Sequence, residues 1–363
     1  MLGECKARIE IMQEAPLLPE ARKELLRVTL KRGVLATTAI EGNSVTEAEY
    51  DEIILKKKDL PPSRKYQQTE IENMIGAFND IISSIIRDNT DELITPDLIK
   101  NFHKKVISNL GDEAPAVPGQ FRNNNVTVGR YRPPNYQDVP KLMVEYCNWL
   151  KAYSLTHDAS KIENAIVKAI SAHVYFEWIH PFGDGNGRTG RLIEYYILMR
   201  SGFPLIAGHI LSNFYNDTRD KYYRMFETCK EKRSLTPFFE YAIEGLRDGL
   251  AETYLKVNKS QIFVFWQRVI YDTFDQIPYT KQEPHKRKRQ VMLNFPLEEG
   301  VELKDIPLKT GVLAYGGLSY NTLYKDIKEI EGEGLLFFEN NKFHANWRRI
   351  CGEYFDPTII NSL

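Results

Sequence analysis

ENAIVKAISAHVYFEWIHPFGDGNGRTGRLIEYYILMR, residues 163–200, decides how this chain is read. Apolar residues run at helical spacing from Ala165 to about Trp178, and His180-Pro181 breaks the run because proline cannot continue a helix. Three glycines follow within five residues (Gly183, Gly185, Gly187), and a second apolar helix opens near Thr189. Glycine permits the tight or left-handed backbone that turns successive N–H groups inward. Those amides and the positive end of the second helix make an anion site. Arg188 and Arg191 are three apart, hence on one helical face and aimed at one region. His180 stands at the lip, and Asp184 offers a carboxylate for a hard divalent cation. A base, a metal ligand, a ring of amides and two guanidinium groups suit polyphosphate. His173, on the apolar face of the first helix, reads as a core histidine.

Outward from that stretch, 363 residues predict two or three domains and ample length for a core. With 48 Lys+Arg against 49 Asp+Glu, the formal charge is −1, so no global field draws nucleic acid or an anionic membrane. Cys5, Cys147, Cys229 and Cys351 lie far apart without a CxxC pair, which fits reduced thiols rather than a disulfide framework or zinc ribbon. No secretory signal, no eighteen-residue apolar run and hence no membrane partner is visible, and the expected location is cytoplasmic.

Residues 1–90 predict a helical region. A helix over ARKELLRVTLKRGVLATTAIEGN ends at Gly42, and Thr46 with Glu49 forms a capping box for the next. The turn PPSRKY precedes a long helix through TEIENMIGAFNDIISSIIRD. Residues 91–255 predict amphipathic helices with one exception, VPGQFRNNNVTVGRYRPPNY (117–136), whose β-branched alternation between Gly, Asn and Pro reads as a short β-hairpin. A connecting helix and linker are expected over 256–285, with the cations Lys281, Lys286, Arg287, Lys288 and Arg289 on a solvated segment. Residues 286–363 have the rhythm helix, turn, helix, two strands, with Ser319 capping a helix that stops at Gly332/Gly334. This resembles a winged helix-turn-helix domain. The fold class is therefore mainly α.

HPFGDGNGRTGR fits the HxFx(D/E)GNGRxxR signature of the Fic family at every defining position. The resemblance implies a helical core with a β-hairpin flap that transfers AMP from ATP to a Ser, Thr or Tyr hydroxyl of a target protein or of itself, releasing pyrophosphate. It would make His180 the base, Phe182 the anchor of the loop, and Asp184 the ligand of Mg²⁺ bridging the α- and β-phosphates. Asn186, Thr189 and the Gly183, Gly185 and Gly187 backbone would hold the phosphates, with Arg188 and Arg191 at the β/γ end. The Doc branch of the family, which phosphorylates, has a lysine where this chain has Gly187.

Thr37-Thr38-Ala39-Ile40-Glu41-Gly42-Asn43 resembles the family's inhibitory motif, (S/T)xxxE(G/N)N. A carboxylate in a helix's last turn opposes the dipole by about 0.3–1 kcal/mol, which a nearby cation would offset. The resemblance supplies that cation as Arg191, with Glu41 standing where the γ-phosphate belongs. The same carboxylate could instead orient water for removal of AMP. The 118–134 segment resembles the family's flap, with Val126, Thr127, Val128 and Gly129 facing the nucleotide and the target segment added as a strand. Tyr222 and Tyr223, on a helix after the motif, are the candidates for the adenine. Transfer of another nucleotide stays open, as does a DNA-binding regulator with a vestigial core. Against DNA, residues 281–363 hold twelve Lys+Arg and twelve Asp+Glu, with Asp326, Glu329 and Glu331 on the second helix. Protein contact or homodimer packing is favoured for that segment.

Overall fold

Ser160 starts the helix on which the site depends: its hydroxyl accepts from Glu163 N at 3.2 Å while the Glu163 carboxylate accepts from Ser160 N at 3.1 Å. The computed structural model describes residues 1–15, 17–87, 93–111, 116–155, 159–275, 282–312 and 318–362. In order these form α1 (Leu2–Glu14), α2 (Pro19–Ala39), α3 (Glu47–Ile54), α4 (Lys65–Arg87), α5 (Pro96–Ile107), α6 (Val139–Ala152), α7 (Lys161–Ile179), α8 (Asn186–Arg200), α9 (Ile210–Asp217), α10 (Arg219–Lys232) and α11 (Thr236–Asp275). The chain is mainly helical, as the sequence predicts. Two compact units result, residues 1–14 with 19–254, and residues 15–18 with 255–363.

In the first unit α7 and α8 form the central pair. Asn186 to Met199 on α8 are buried on almost every face, with Gly187 half-buried. Gly190 lets the two helices touch, since a Cβ there would stand 2.7 Å from the Glu177 carboxylate and 3.1 Å from Phe176. α4 buries Ile71, Met74, Phe78 and Ile81 at helical spacing, and α5 starts on a Thr95 cap with Pro96 behind it. α2 approaches closely at Gly33, where a Cβ would meet the His209 ring at 2.2 Å. That close contact carries the end of α2 over the start of α8. The capping box at Thr46 and Glu49 opens α3 as expected. The expected boundary between residues 90 and 91 falls outside the described residues, and the helices before and after it share one unit.

The 117–136 segment is less of a hairpin than its β-branched core suggests. It closes through one antiparallel bridge, Val128 with Tyr131, whose two hydrogen bonds are 2.9 and 2.8 Å. Gly129 sits between them at φ 56°, a left-handed turn that glycine adopts without strain. One main-chain bond, Arg122 N to Pro181 O at 2.9 Å, and side chains hold the rest.

The second unit holds the end of α11, then α12 (Gln282–Leu293), α13 (Ile306–Thr310), α14 (Tyr320–Gly332), the antiparallel strands β1 (Leu336–Glu339) and β2 (Lys342–Ala345), α15 (Trp347–Cys351) and α16 (Pro357–Ser362). The strands pair from Leu336↔Ala345 to Glu339↔Lys342 around Asn340-Asn341, both at positive φ as a two-residue hairpin requires. The connecting helix starts at Thr236, earlier than expected. The solvated linker is not found over its described part: α12 covers it, Arg287 donates to Asp326 at 2.6 Å and Lys288 to Glu329 at 2.7 Å. Lys281 lies outside the described residues, as do 313–317 in the expected turn before Ser319. All four cysteines are buried free thiols. Among the described residues no helix is long and apolar enough to cross a membrane.

Candidate active site

The loop between α7 and α8 is fixed by its own side chains. Asn186 Oδ1 accepts from Phe182 N and its Nδ2 donates to Phe182 O, each at 2.9 Å. Asn186 thus shapes the loop and keeps a second amide N–H beyond these two bonds. Thr189 likewise bonds its own helix, its buried hydroxyl donating to Gly185 O at 2.8 Å. Gly185, at φ 74°, caps α8 and donates its N–H to Asp184 Oδ1 at 2.7 Å. Phe182 is fully buried and stacks on His103 with ring centroids 3.7 Å apart.

His103 is a site residue that the sequence does not announce. Gly119 N donates to its Nδ1 at 3.1 Å, so Nε2 carries the proton and donates to Asp184 O at 3.0 Å. One neutral ring thus ties the flap to the motif loop, and burial holds its pKa down to about 4. Arg122, legible only as part of the flap's opening, does the same from the other side. It is buried, donates to His180 O at 2.9 Å and Asn124 O at 3.0 Å, and also reaches Pro134 O.

His180 ends α7 in the left-handed region, φ 48°. Burial lowers its pKa to about 4, so the imidazole is neutral at pH 7 and able to take a proton. Glu177 lies one turn earlier with Oε2 3.7 Å from His180 Nδ1. Burial pushes the Glu177 carboxyl up to about 8.

Arg191 is 1% exposed and is bonded by the end of α2 and the turn after it. Its Nε donates to Thr37 Oγ1 at 2.8 Å, and its Nη2 to Thr37 O at 2.9 Å and to Glu41 Oε1 at 2.6 Å. Glu41 sits just past the last helical residue, in a turn that Gly42 completes at φ 99°. Its carboxylate covers the first turn of α8, where a Cβ on Gly187 would stand 2.1 Å from Oε1. Burial raises the Glu41 carboxyl, but Arg191 above all, then Arg188 and Arg219, outweigh it and hold it below its ordinary range. Asn43 donates to Gln67 O at 2.9 Å and Glu70 Oε2 at 2.8 Å, and Glu70 in turn pairs with Arg188. Thr37, Glu41, Gly187 and Arg191 therefore meet, although 150 residues separate Glu41 from Arg191.

Asp184 is about a third exposed, with Oδ2 3.7 Å from Arg188 Nη2, and Gly183 beside it is half-buried. Among the described residues no three metal-binding side chains cluster. Mg²⁺ takes one or two carboxylates and completes its shell with water and substrate phosphates, so a lone open carboxylate beside an anion site fits a cation delivered with a nucleotide. On the flap, Val126 is half-buried while Thr127, Val128 and Gly129 are exposed. Tyr222 is not at an open wall: it is buried, its hydroxyl 2.8 Å from His173 Nε2, and stacked between His173 and Tyr215. Helical aromatic spacing serves the core there. Tyr223 keeps 45% of its surface exposed and donates to Ile40 O at 3.1 Å, beside Glu41.

Residues 93–198 match the Fic/DOC family. The chain is 30% identical over 221 residues to protein adenylyltransferase fic-1 of Caenorhabditis elegans, covering 61% of this chain and 40% of that one. It is 33% identical over 182 residues to the protein adenylyltransferase Fic of Nematostella vectensis, covering 50% and 40%. The chain thus spans about two fifths of the length of these curated relatives. A Fic family protein from Desulfovibrio desulfuricans G20 has the same fold along nearly its whole length, with 20% identity, a TM-score of 0.56, and coverage of 95% and 93%. C. elegans Fic-1 aligns at 24% identity with a TM-score of 0.56, covering 72% of each chain. The Fic match begins at residue 93, so Thr37, Glu41, Asn43 and Glu70 reach the site from outside it.

Proposed function

We propose that this chain is a protein adenylyltransferase held inactive by Glu41. The observation that carries the reading is a carboxylate seated on Arg191 at the amino end of α8, where backbone and guanidinium groups together make an anion site. A side-chain anion in a polyphosphate pocket marks the place of a phosphate. That carboxylate is 31% exposed, so it can leave without unfolding the core.

In the open state Arg188, Arg191 and the Gly183–Gly187 backbone receive the triphosphate. Asp184 would hold Mg²⁺, which would supply neutralisation of the triphosphate charge. The neutral His180 imidazole takes the proton of the target hydroxyl as its oxygen forms a bond to the α-phosphorus. The bond from that phosphorus to the bridging oxygen breaks, and pyrophosphate leaves. Such a transfer depends on position and charge neutralisation more than covalent help. Tyr223 is the aromatic residue placed for the base of the donor. The flap presents Thr127, Val128 and Gly129 to an extended segment of the target.

The order helix, helix, two-stranded hairpin over residues 306–345 supports a winged helix-turn-helix arrangement. Its acids do not form a repelling face: Asp326 and Glu329 pair with Arg287 and Lys288, and Glu331 with Lys328 at 2.6 Å. That leaves a charge-balanced surface suited to protein contact.

Parallel assays with α-labelled and γ-labelled ATP test the enzyme reading. Glu41→Gly is expected to label protein from the α position well above wild type, and His180→Ala to abolish it. Labelling from the γ position would replace AMP transfer with phosphorylation. An unchanged rate in Glu41→Gly, with ATP bound normally, would remove the brake.

A further inference from the structure

Arg191 is not the only guanidinium in the site that faces a carboxylate. Arg188 is 3% exposed, and its Nη1 donates to Glu70 Oε1 in a short ion pair. Glu70 lies on α4, 118 residues earlier in the chain and outside the Fic match, and is itself buried. Its second oxygen accepts from Asn43 Nδ2 at 2.8 Å. Asn43 belongs to the turn that carries Glu41: its N–H donates to Thr38 O at 3.1 Å and its Oδ1 accepts from Val45 N at 3.0 Å. A continuous chain of polar contacts thus runs from the brake turn through Glu70 to Arg188, whose Nη2 faces Asp184 at 3.7 Å.

In the closed state each arginine of the motif faces its own carboxylate, Arg191 with Glu41 and Arg188 with Glu70. Withdrawing Glu41 alone leaves Arg188 paired. A buried arginine also needs a counter-ion, which Glu70 provides in the closed state and a phosphate can provide in the open one.

Resting on the transferase reading above, we propose that Glu70 is a second carboxylate of the brake: it holds Arg188 as Glu41 holds Arg191, and the Asn43 side chain yokes the two. Glu70 is a positioning residue, acting on nucleotide through Arg188. Displacing the brake turn pulls on Glu70 and frees Arg188 for the phosphates. By thermodynamic reciprocity, weakening Glu70 loosens the turn.

The test is titration of the full chain with α,β-methylene-ATP and magnesium, in wild type, Glu41→Gly, Glu70→Gln and Asn43→Ala. The ligand cannot be cleaved at the transferred phosphorus, so affinity is read apart from turnover. Glu70→Gln, with Glu41 intact, is expected to bind at least fivefold more tightly than wild type and to exchange the Asn43 amide hydrogen faster. Asn43→Ala is expected to shift affinity in the same direction, and it decides the matter should Glu70→Gln fail to fold. Tighter binding by Glu41→Gly with unchanged or weaker binding by Glu70→Gln or, in that case, Asn43→Ala would overturn the role of Glu70 and leave the transferase reading standing. No binding by any variant, Glu41→Gly included, would overturn both.

Discussion

Arg191 illustrates how much one side chain can be asked to do. With its guanidinium 1% exposed, it requires an anion and several acceptors, and the end of α2 supplies both through the Thr37 hydroxyl, the Thr37 carbonyl and the Glu41 carboxylate. A hydrogen bond to a charged group contributes about 1.5–3 kcal/mol. Thr37→Val removes one of the three acceptors and leaves Glu41 in place. Its nucleotide affinity is expected to fall between those of wild type and Glu41→Gly, as measured by titration. An affinity equal to wild type would take the Thr37 hydroxyl out of the brake. Because arginine holds the Glu41 carboxyl below its ordinary pKa, the sign is that of a stabilising ionised acid. Closure persists from neutral pH through the ordinary carboxylate range and is lost only as pH falls through the lowered value.

At the scale of elements, the flap shows why a β-branched stretch need not make a ladder. Residues 117–136 have one bridge of their own, and their position is set by Arg122 and by His103. Arg122→Ala removes three side-chain donors at once. In a Glu41→Gly background it is expected to lower AMP transfer tenfold or more, and to speed proteolysis within 117–136 while the melting temperature moves by only a few degrees. Proteolysis unchanged from the parent would mean the flap is held elsewhere. Most helical elements and the start of α3 are legible, because the capping box at Thr46/Glu49 is local and helical periodicity is local. Tyr222 was misread because helical spacing does not say which face meets the core. The bonds that Asn186 and Thr189 make are not written in the motif, because a short polar side chain in a tight loop closes on its own backbone first.

Across the first unit, burial of titratable groups sets a pH optimum. Burial lowers His103 and His180 to about 4 and His173 and His209 to about 3. These contribute stability that is complete above the unfolded histidine value, about 6.5, and is lost as pH falls through the folded values. Burial raises Glu177 and Glu194 to about 8, with the opposite sign: their contribution is complete below the unfolded carboxyl value and is lost as pH rises toward 8. Between about pH 4.5 and 6.5 the four histidines outweigh the raised acids, so stability rises with pH; above 6.5 the acids alone remain and it declines. Thermal melts from pH 4.5 to 8.5 are expected to peak near 6.5. A melting temperature that climbs steadily to pH 8 would contradict this.

The sequence by itself determined the helices, the glycine loop at the start of α8 and the pairing of two arginines on one face, because each follows from contacts within a few residues. The match of Glu41 to a motif was also legible, as a pattern. What tertiary structure alone decided is which acid meets which arginine. Glu41 reaches Arg191 because Gly33 lets α2 press against His209, and Glu70 reaches Arg188 because α4 packs beside α8. Such pairings join residues more than a hundred positions apart, and no local periodicity encodes them.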